Sequence, residues 1–211
     1  MRLTVVSAGL STPSSTRLLA DRLAESTREA LAAGGHRAST ETVELRELAG
    51  DIAHHLVTGF PPPRLGAAID TVTAADGLIV VTPVFAASYS GLFKSFFDVI
   101  DPDALTGTPV LAAATGGTAR HSLALEHAVR PLFAYLRAVV VPTAVFAASE
   151  DWGSGGDEHT DGLPGRIRRA AAELAALMRT RPPRTEHEPG DAGVDADVDA
   201  LERQLADLRF D

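Results

Sequence analysis

With 211 residues, 45% of them hydrophobic, the chain can bury one substantial core, and no apolar run approaches the roughly 18 residues that span a bilayer. It contains no cysteine, which excludes disulfides, thiolate metal ligands and thiol chemistry. The formal charge of −9 sits mostly at one end, where residues 186–211 hold nine acidic side chains against two arginines; the remainder is nearly neutral and lacks the basic stripe of a nucleic-acid binder.

Leu3 to Ser7 is a short β-branched run ending in turn chemistry, and it reads as the first strand. Only six residues separate Met1-Arg2 from that turn, too few for a signal-peptide core, so a cytoplasmic protein is expected. Ser14 to Ala33 has leucines at helical spacing and is stopped by Gly34-Gly35. His36 to Leu45 alternates as a second strand, and 46–60 is ambiguous, with a helical turn or two possible from Arg46 to Leu56. Pro61-Pro62-Pro63 opens a helix over Arg64 to Ala75, followed by a buried strand from Leu78 to Thr82. Pro83 to Ser90 reads as a loop, and Gly91 to Ile100 as a short helix whose phenylalanines 93, 96 and 97 read as core.

Pro109 to Ala114 is the fourth strand, and a helix from His121 to Leu136 must kink at Pro131. Ala138 to Ala147 is the fifth strand, Ser149 to Gly165 a long loop, and Arg166 to Arg179 the last core helix. Residues 1–180 thus form one domain. The acidic tail, 181–211, is expected to be partly disordered, with a possible amphipathic helix over 196–209 carried by Val198, Leu201, Leu205 and Leu208.

Alternating strands and helices imply an α/β protein with helices on both faces of a parallel sheet. Five strands favour the flavodoxin-like order 2-1-3-4-5, in which ligands sit beyond the carboxyl ends of strands 1, 3 and 4. The three loops at those ends should carry the chemistry. The first, Ser7 to Thr16, has six hydroxyl side chains and ends at a helix start, where free amides and the helix dipole suit a phosphate. Ser11, Ser14, Ser15 and Thr16 are the candidate contacts, and capping by Ser14 or Ser15 would explain only one hydroxyl. The loop lacks both the Gly-Lys-Ser/Thr ending of a P-loop and the Gly-x-Gly-x-x-Gly of a dinucleotide fold, so a single terminal phosphate fits it better.

The second loop, Pro83-Val84-Phe85-Ala86-Ala87-Ser88-Tyr89-Ser90-Gly91-Leu92-Phe93-Lys94, resembles the P-x-Y-x-x-S-x-x-G-x-L-K signature of the NAD(P)H-dependent FMN reductases, with Phe85 in place of tyrosine. Arg130 to Ala134 and Glu150 to Gly153 are similar to the subgroup serving luciferase-like flavin-dependent monooxygenases. The resemblance implies FMN as cofactor, NADPH or NADH as co-substrate, and hydride transfer from nicotinamide C4 to flavin N5. It places Pro83, Val84, Phe85, Ala86 and Ser88 along the ring edge, and Thr115, Gly116 and Gly117 of the third loop at the pyrimidine end. The adjacent glycines also admit a positive φ. Many relatives carry an arginine between Leu10 and Ser14 that this chain lacks, leaving Arg17 nearby.

No catalytic side chain is expected, since the cofactor supplies the electron sink. The polar clusters His54-His55 and Asp157 to Asp161 have no ligand spacing, so no metal is expected either. His121 reads as a helix cap, Arg120 as a candidate 2′-phosphate contact, and Trp152 as either a flavin cover or a loop anchor. A homodimer or homotetramer is implied, built partly from the helix at 91–100. A quinone or azo reductase and a non-enzymatic flavodoxin-type electron carrier are the alternative readings.

Overall fold

The side chains of β1 (Arg2–Ser7) alternate between two apolar layers, Leu3 and Val5 to one side and Val6 to the other, as a strand buried on both faces requires. The structure is a computed structural model and describes residues 1–153 and 162–181. β1 pairs in parallel with β2 (Ser39–Glu44) and, on its other side, with β3 (Gly77–Phe85). β4 (Ser88–Tyr89) folds back antiparallel on the end of β3, and β5 (Pro109–Gly116) runs parallel to β3. The last position is shared by β6 (Val139–Val140) and β7 (Val145–Ala148), each parallel to β5. The positions follow the expected 2-1-3-4-5 order, but with seven strands rather than five among the described residues.

The two extra strands have local causes. The expected fifth strand, Ala138 to Ala147, breaks at Pro142, which has no N–H for the ladder. Val141 N still donates to Val110 O (2.9 Å), and beyond the proline Thr143 N and Oγ1 both donate to the carboxylate of Glu173 (2.7 Å each). A side chain thus fills the gap that the proline leaves. β4 arises because the segment read as a plain loop closes as a two-residue hairpin around Ala86 and Ala87, pairing Val84 with Tyr89 and Phe85 with Ser88.

α1 (Ser15–Ala33) and α6 (Leu163–Thr180) cover one face, packing Leu19, Leu23, Leu174 and Met178 on Ile79, Val81 and Leu111. The other face carries α2 (Ala49–Thr58), α3 (Pro63–Thr73), α4 (Gly91–Asp98) and α5 (Arg130–Tyr135). There Phe93, Phe96, Phe97 and Phe133 form a buried aromatic cluster, with Phe97 4.8 Å from both Phe93 and Phe133 between ring centroids. The three α4 phenylalanines are therefore core.

Several expected boundaries shift. The second strand begins at Ser39 rather than His36, and the ambiguous 46–60 region becomes a 3₁₀ turn at Leu45–Leu48 followed by α2. The expected continuous helix from His121 to Leu136 is instead a 3₁₀ turn at Ala119–His121, a π turn at Leu125–Val129, and α5. Pro131 sits in the first turn of α5, where a missing N–H is tolerated, and the wide π turn precedes it. The long loop is shorter at both described ends: Ser149–Trp152 is a 3₁₀ turn, and α6 starts at Leu163 with Pro164 in its first turn. Beyond Arg181 the expected tail, with its helix at 196–209, lies outside the described residues, as do Asp157 to Asp161. Among the described residues no helix is long and apolar enough to cross a membrane.

Candidate cofactor site

The carboxyl ends of β1, β3 and β5 lie side by side, so the three loops that follow them share one end of the sheet. Strand register places Pro83 beside Thr115, and Ala8 N donates to Val81 O (2.9 Å). The first and third loops are joined directly: the buried hydroxyls of Thr16 and Thr115 share a 2.8 Å hydrogen bond. Four of the candidate segments' residues, Thr16, Thr115, Pro83 and Gly116, are thereby held within one contiguous patch.

In the first loop Ser14 is the N-cap of α1, its Oγ accepting from Arg17 N (3.2 Å). A Cβ at Gly9 would collide with Ser14 Oγ, so a larger residue there would displace the capping hydroxyl. Ser11 and Ser15 are exposed, and the first-turn amides of Ser15 and Thr16 have no acceptor within the helix. Ser7 Oγ, at the root of the loop, is buried without a hydrogen-bond partner among the described residues. The Thr12–Pro13 peptide is cis. Hydroxyls, free amides and an orphaned buried oxygen are a donor set that fits a phosphate monoester.

Arg17 does not serve this loop in the way its position in the sequence suggests. Its Nε donates to Asp21 (2.8 Å) and its Nη1 to Glu44, so two carboxylates match its charge and raise its basicity, Asp21 most strongly. Arg46 instead reaches the loop, donating from Nη1 to Thr12 Oγ1. Arg46 carries no local signal as a site residue, because it stands 34 residues from Thr12 and only the sheet register brings them together.

The second loop is tied at its base by side-chain hydroxyls. Thr82 Oγ1 accepts from Ser90 N (3.0 Å) and donates to Pro83 O (3.0 Å), while Ser90 Oγ caps α4 by accepting from Phe93 N (3.2 Å). At its tip Ala86 and Ala87 have φ of 47° and 65°, the left-handed pair of a type I′ turn that glycine or asparagine usually fills. Each alanine there costs on the order of 1 kcal/mol, and such strain gathers at functional sites. Phe85 is 49% exposed at the tip, Val84 and Ser88 half-buried below it.

In the third loop neither glycine uses the positive φ that it admits. Gly116 is small for a different reason: a Cβ would stand 2.8 Å from the Phe146 ring. Gly117 faces open space. The expected cap at His121 belongs to Thr118, whose Oγ1 accepts from Arg120 N (3.4 Å). Arg120 and His121 instead line an open cavity of 360 Å³ together with Ala87, Ser88 and His127. A larger cavity, 640 Å³, lies between α4 and α5, lined by helix residues such as Lys94, Pro131 and Tyr135. Trp152 stacks on Arg22 of α1 (5.1 Å to the ring centroid) and packs at the edge of the α1–α6 core, while Asp151 accepts from Ala148 N (2.8 Å) and pairs with Arg166. It anchors its loop. Among the described residues no three potential metal ligands gather.

A hydroxyl-rich loop, a tight small-residue hairpin and a glycine loop at one end of a doubly wound sheet define a flavodoxin-like mononucleotide-binding protein. The chain belongs to the NADPH-dependent FMN reductase family, whose pattern it matches over residues 1–153. It is 37% identical over 183 residues to an FMN reductase (NADPH) of Pseudomonas aeruginosa, covering 85% of this chain and 94% of that protein. It is equally similar, 37% over 180 residues, to the NADH-dependent FMN reductase SfnF of Pseudomonas fluorescens, covering 85% and 93%. Among solved structures, an oxidoreductase from Corynebacterium diphtheriae superposes with a TM-score of 0.81 at 51% identity, covering 86% of this chain and 98% of that one. This chain is thus an oxidoreductase, an NAD(P)H-dependent FMN reductase.

Proposed function

We propose that the chain seats the FMN phosphate on Ser11, Ser14, Ser15 and Thr16, and the isoalloxazine along Pro83 to Ala86 and Ser88, with Thr115, Gly116 and Gly117 at the pyrimidine end. The observation that carries this reading is the Thr16–Thr115 bond, which joins the phosphate loop to the glycine loop at the carboxyl edge of the sheet. The capped, hydrogen-bonded base of the hairpin supports a fixed ring edge. When bound, FMN supplies the electron sink for the hydride of the reduced nicotinamide. The protein's share is binding and orientation, and no side chain is assigned a proton transfer. The cavity bearing Arg120, His121 and His127 adjoins the hairpin and suits the phosphates of a nicotinamide dinucleotide.

The flavin is read as a substrate that leaves when reduced, passing to a flavin-dependent monooxygenase in the cytoplasm. The neutralisation of Arg17 by Asp21 and Glu44 supports this, since it lowers the positive charge available to retain a phosphate. A homodimer or homotetramer would meet through surfaces other than the α4 phenylalanines, which are spent inside the chain. The test is anaerobic stopped-flow absorbance of the FMN-loaded protein mixed with NADH or NADPH. Rapid bleaching with one nucleotide and micromolar or weaker FMN binding are expected. Tight FMN that neither nucleotide bleaches would leave an electron carrier.

A further inference from the structure

We propose that Arg46 is the cation that recognises the flavin phosphate and so sets the preference for FMN over riboflavin; the inference rests on the FMN reading above. The first loop's own hydroxyls are partly committed. Ser14 Oγ accepts from Arg17 N and Thr16 Oγ1 shares a bond with Thr115, so each has at most one neutral O–H left to offer a phosphate. The nearest cation in sequence, Arg17, is matched by two carboxylates on different elements, Asp21 of α1 and Glu44 of β2. A phosphate dianion arriving at this loop would meet little net charge from it.

Arg46 is differently placed. It follows Glu44 by two residues, and Glu44 is the register partner of Ser7, the residue from which the first loop departs. The 3₁₀ turn that carries it is pinned by the buried Leu45 and Leu48, so the guanidinium is delivered to the loop by a fixed stretch of backbone. Its Nη1 rests on the neutral hydroxyl of exposed Thr12, and it forms no ion pair among the described residues. One N–H on a neutral oxygen leaves most of the five-donor fork uncommitted. A phosphate monoester offers the anionic oxygens that such a fork matches, and charge-assisted bonds of this kind are about twice as strong as neutral ones. The loop holds no arginine of its own between Leu10 and Ser14, and Arg46 reaches it from the side of β2.

Flavin fluorescence titrations of the full chain test this with FMN and with riboflavin, which lacks the phosphate. Arg46→Ala should weaken FMN roughly tenfold or more, the scale of a lost charge-assisted bond, while riboflavin affinity stays within about twofold. Arg46→Lys should restore part of the FMN affinity, since a point charge remains but the fork does not. A parallel loss of both flavins would make Arg46 a mere prop for the loop and overturn the proposal, as would unchanged FMN affinity. Failure of the unaltered protein to bind either flavin would instead remove the FMN reading itself.

Discussion

The two loops assigned to opposite ends of the flavin are held in shape by different means. The first is held by side chains: Ser14 on the start of α1, Thr16 on Thr115, Thr12 under Arg46. The second is held chiefly through its main chain: a strained Ala86-Ala87 turn on a short hairpin, the Thr82 and Ser90 hydroxyls bonding only to backbone at its base, and a far strand that runs into the phenylalanine-rich α4. The contrast follows the chemistry each end must meet. A charged group is recognised by donors that have to be aimed, whereas a flat ring needs a thin edge that keeps its place.

The largest expected effect separates the hairpin from its support. Phe93→Ala removes a fully buried ring that touches Tyr89, Phe97 and Phe133, and should cost about 3–5 kcal/mol in urea unfolding. A loss below about 1 kcal/mol would show that the second loop does not depend on that core. Next comes the tie between loops. Thr115→Val leaves the buried Thr16 hydroxyl without its partner and should cost about 1–3 kcal/mol, whereas the double variant with Thr16→Val should recover much of it. Additive losses would mean the bond carries no coupling.

Smaller is Arg120→Ala, which should raise KM for NADPH about tenfold in steady-state assays and leave KM for NADH nearly unchanged, as expected when one Arg–phosphate contact is lost. An equal rise for both nucleotides would assign Arg120 to the shared part of the dinucleotide. The smallest effect lies outside the comparison and calibrates it. A hydrogen bond from Arg130 holds the Glu126 carboxyl below the usual glutamate range, so its stabilisation is present at neutral pH and fades as pH falls through that lowered value. The stability gap between the protein and Glu126→Gln, at most about 0.5 kcal/mol for an exposed pair, should therefore close on acidification. A gap that does not change with pH would show that the ion pair is silent.

Much of this layout was legible in the chain. The apolar runs at Leu3–Ser7 and Leu78–Thr82, each leading into turn chemistry, located the strand ends, and Ser14 before a leucine-spaced run located a cap. What escaped was whatever depends on partners distant in sequence. Arg17 looked like a loop cation because its second carboxylate, Glu44, stands 27 residues away on β2, and Arg46 looked irrelevant for the mirror-image reason. The hairpin was hidden because Ala-Ala carries none of the asparagine or glycine signal of a type I′ turn. The split last strand could have been inferred from Pro142, but its repair by Glu173, thirty residues on, could not.

The anchoring of Trp152 has a practical consequence. It is the single tryptophan in the chain, and it stacks on Arg22 in the same helix whose first turn follows the hydroxyl-rich first loop. The protein therefore carries its own optical reporter, one emitter without background from any other indole. Its emission falls where flavins absorb, so arrival of a flavin should dim it by energy transfer, while release of the Arg22 stack should shift its colour. Seating of the ligand and loosening of the last strand's loop can thus be followed separately in an unlabelled sample.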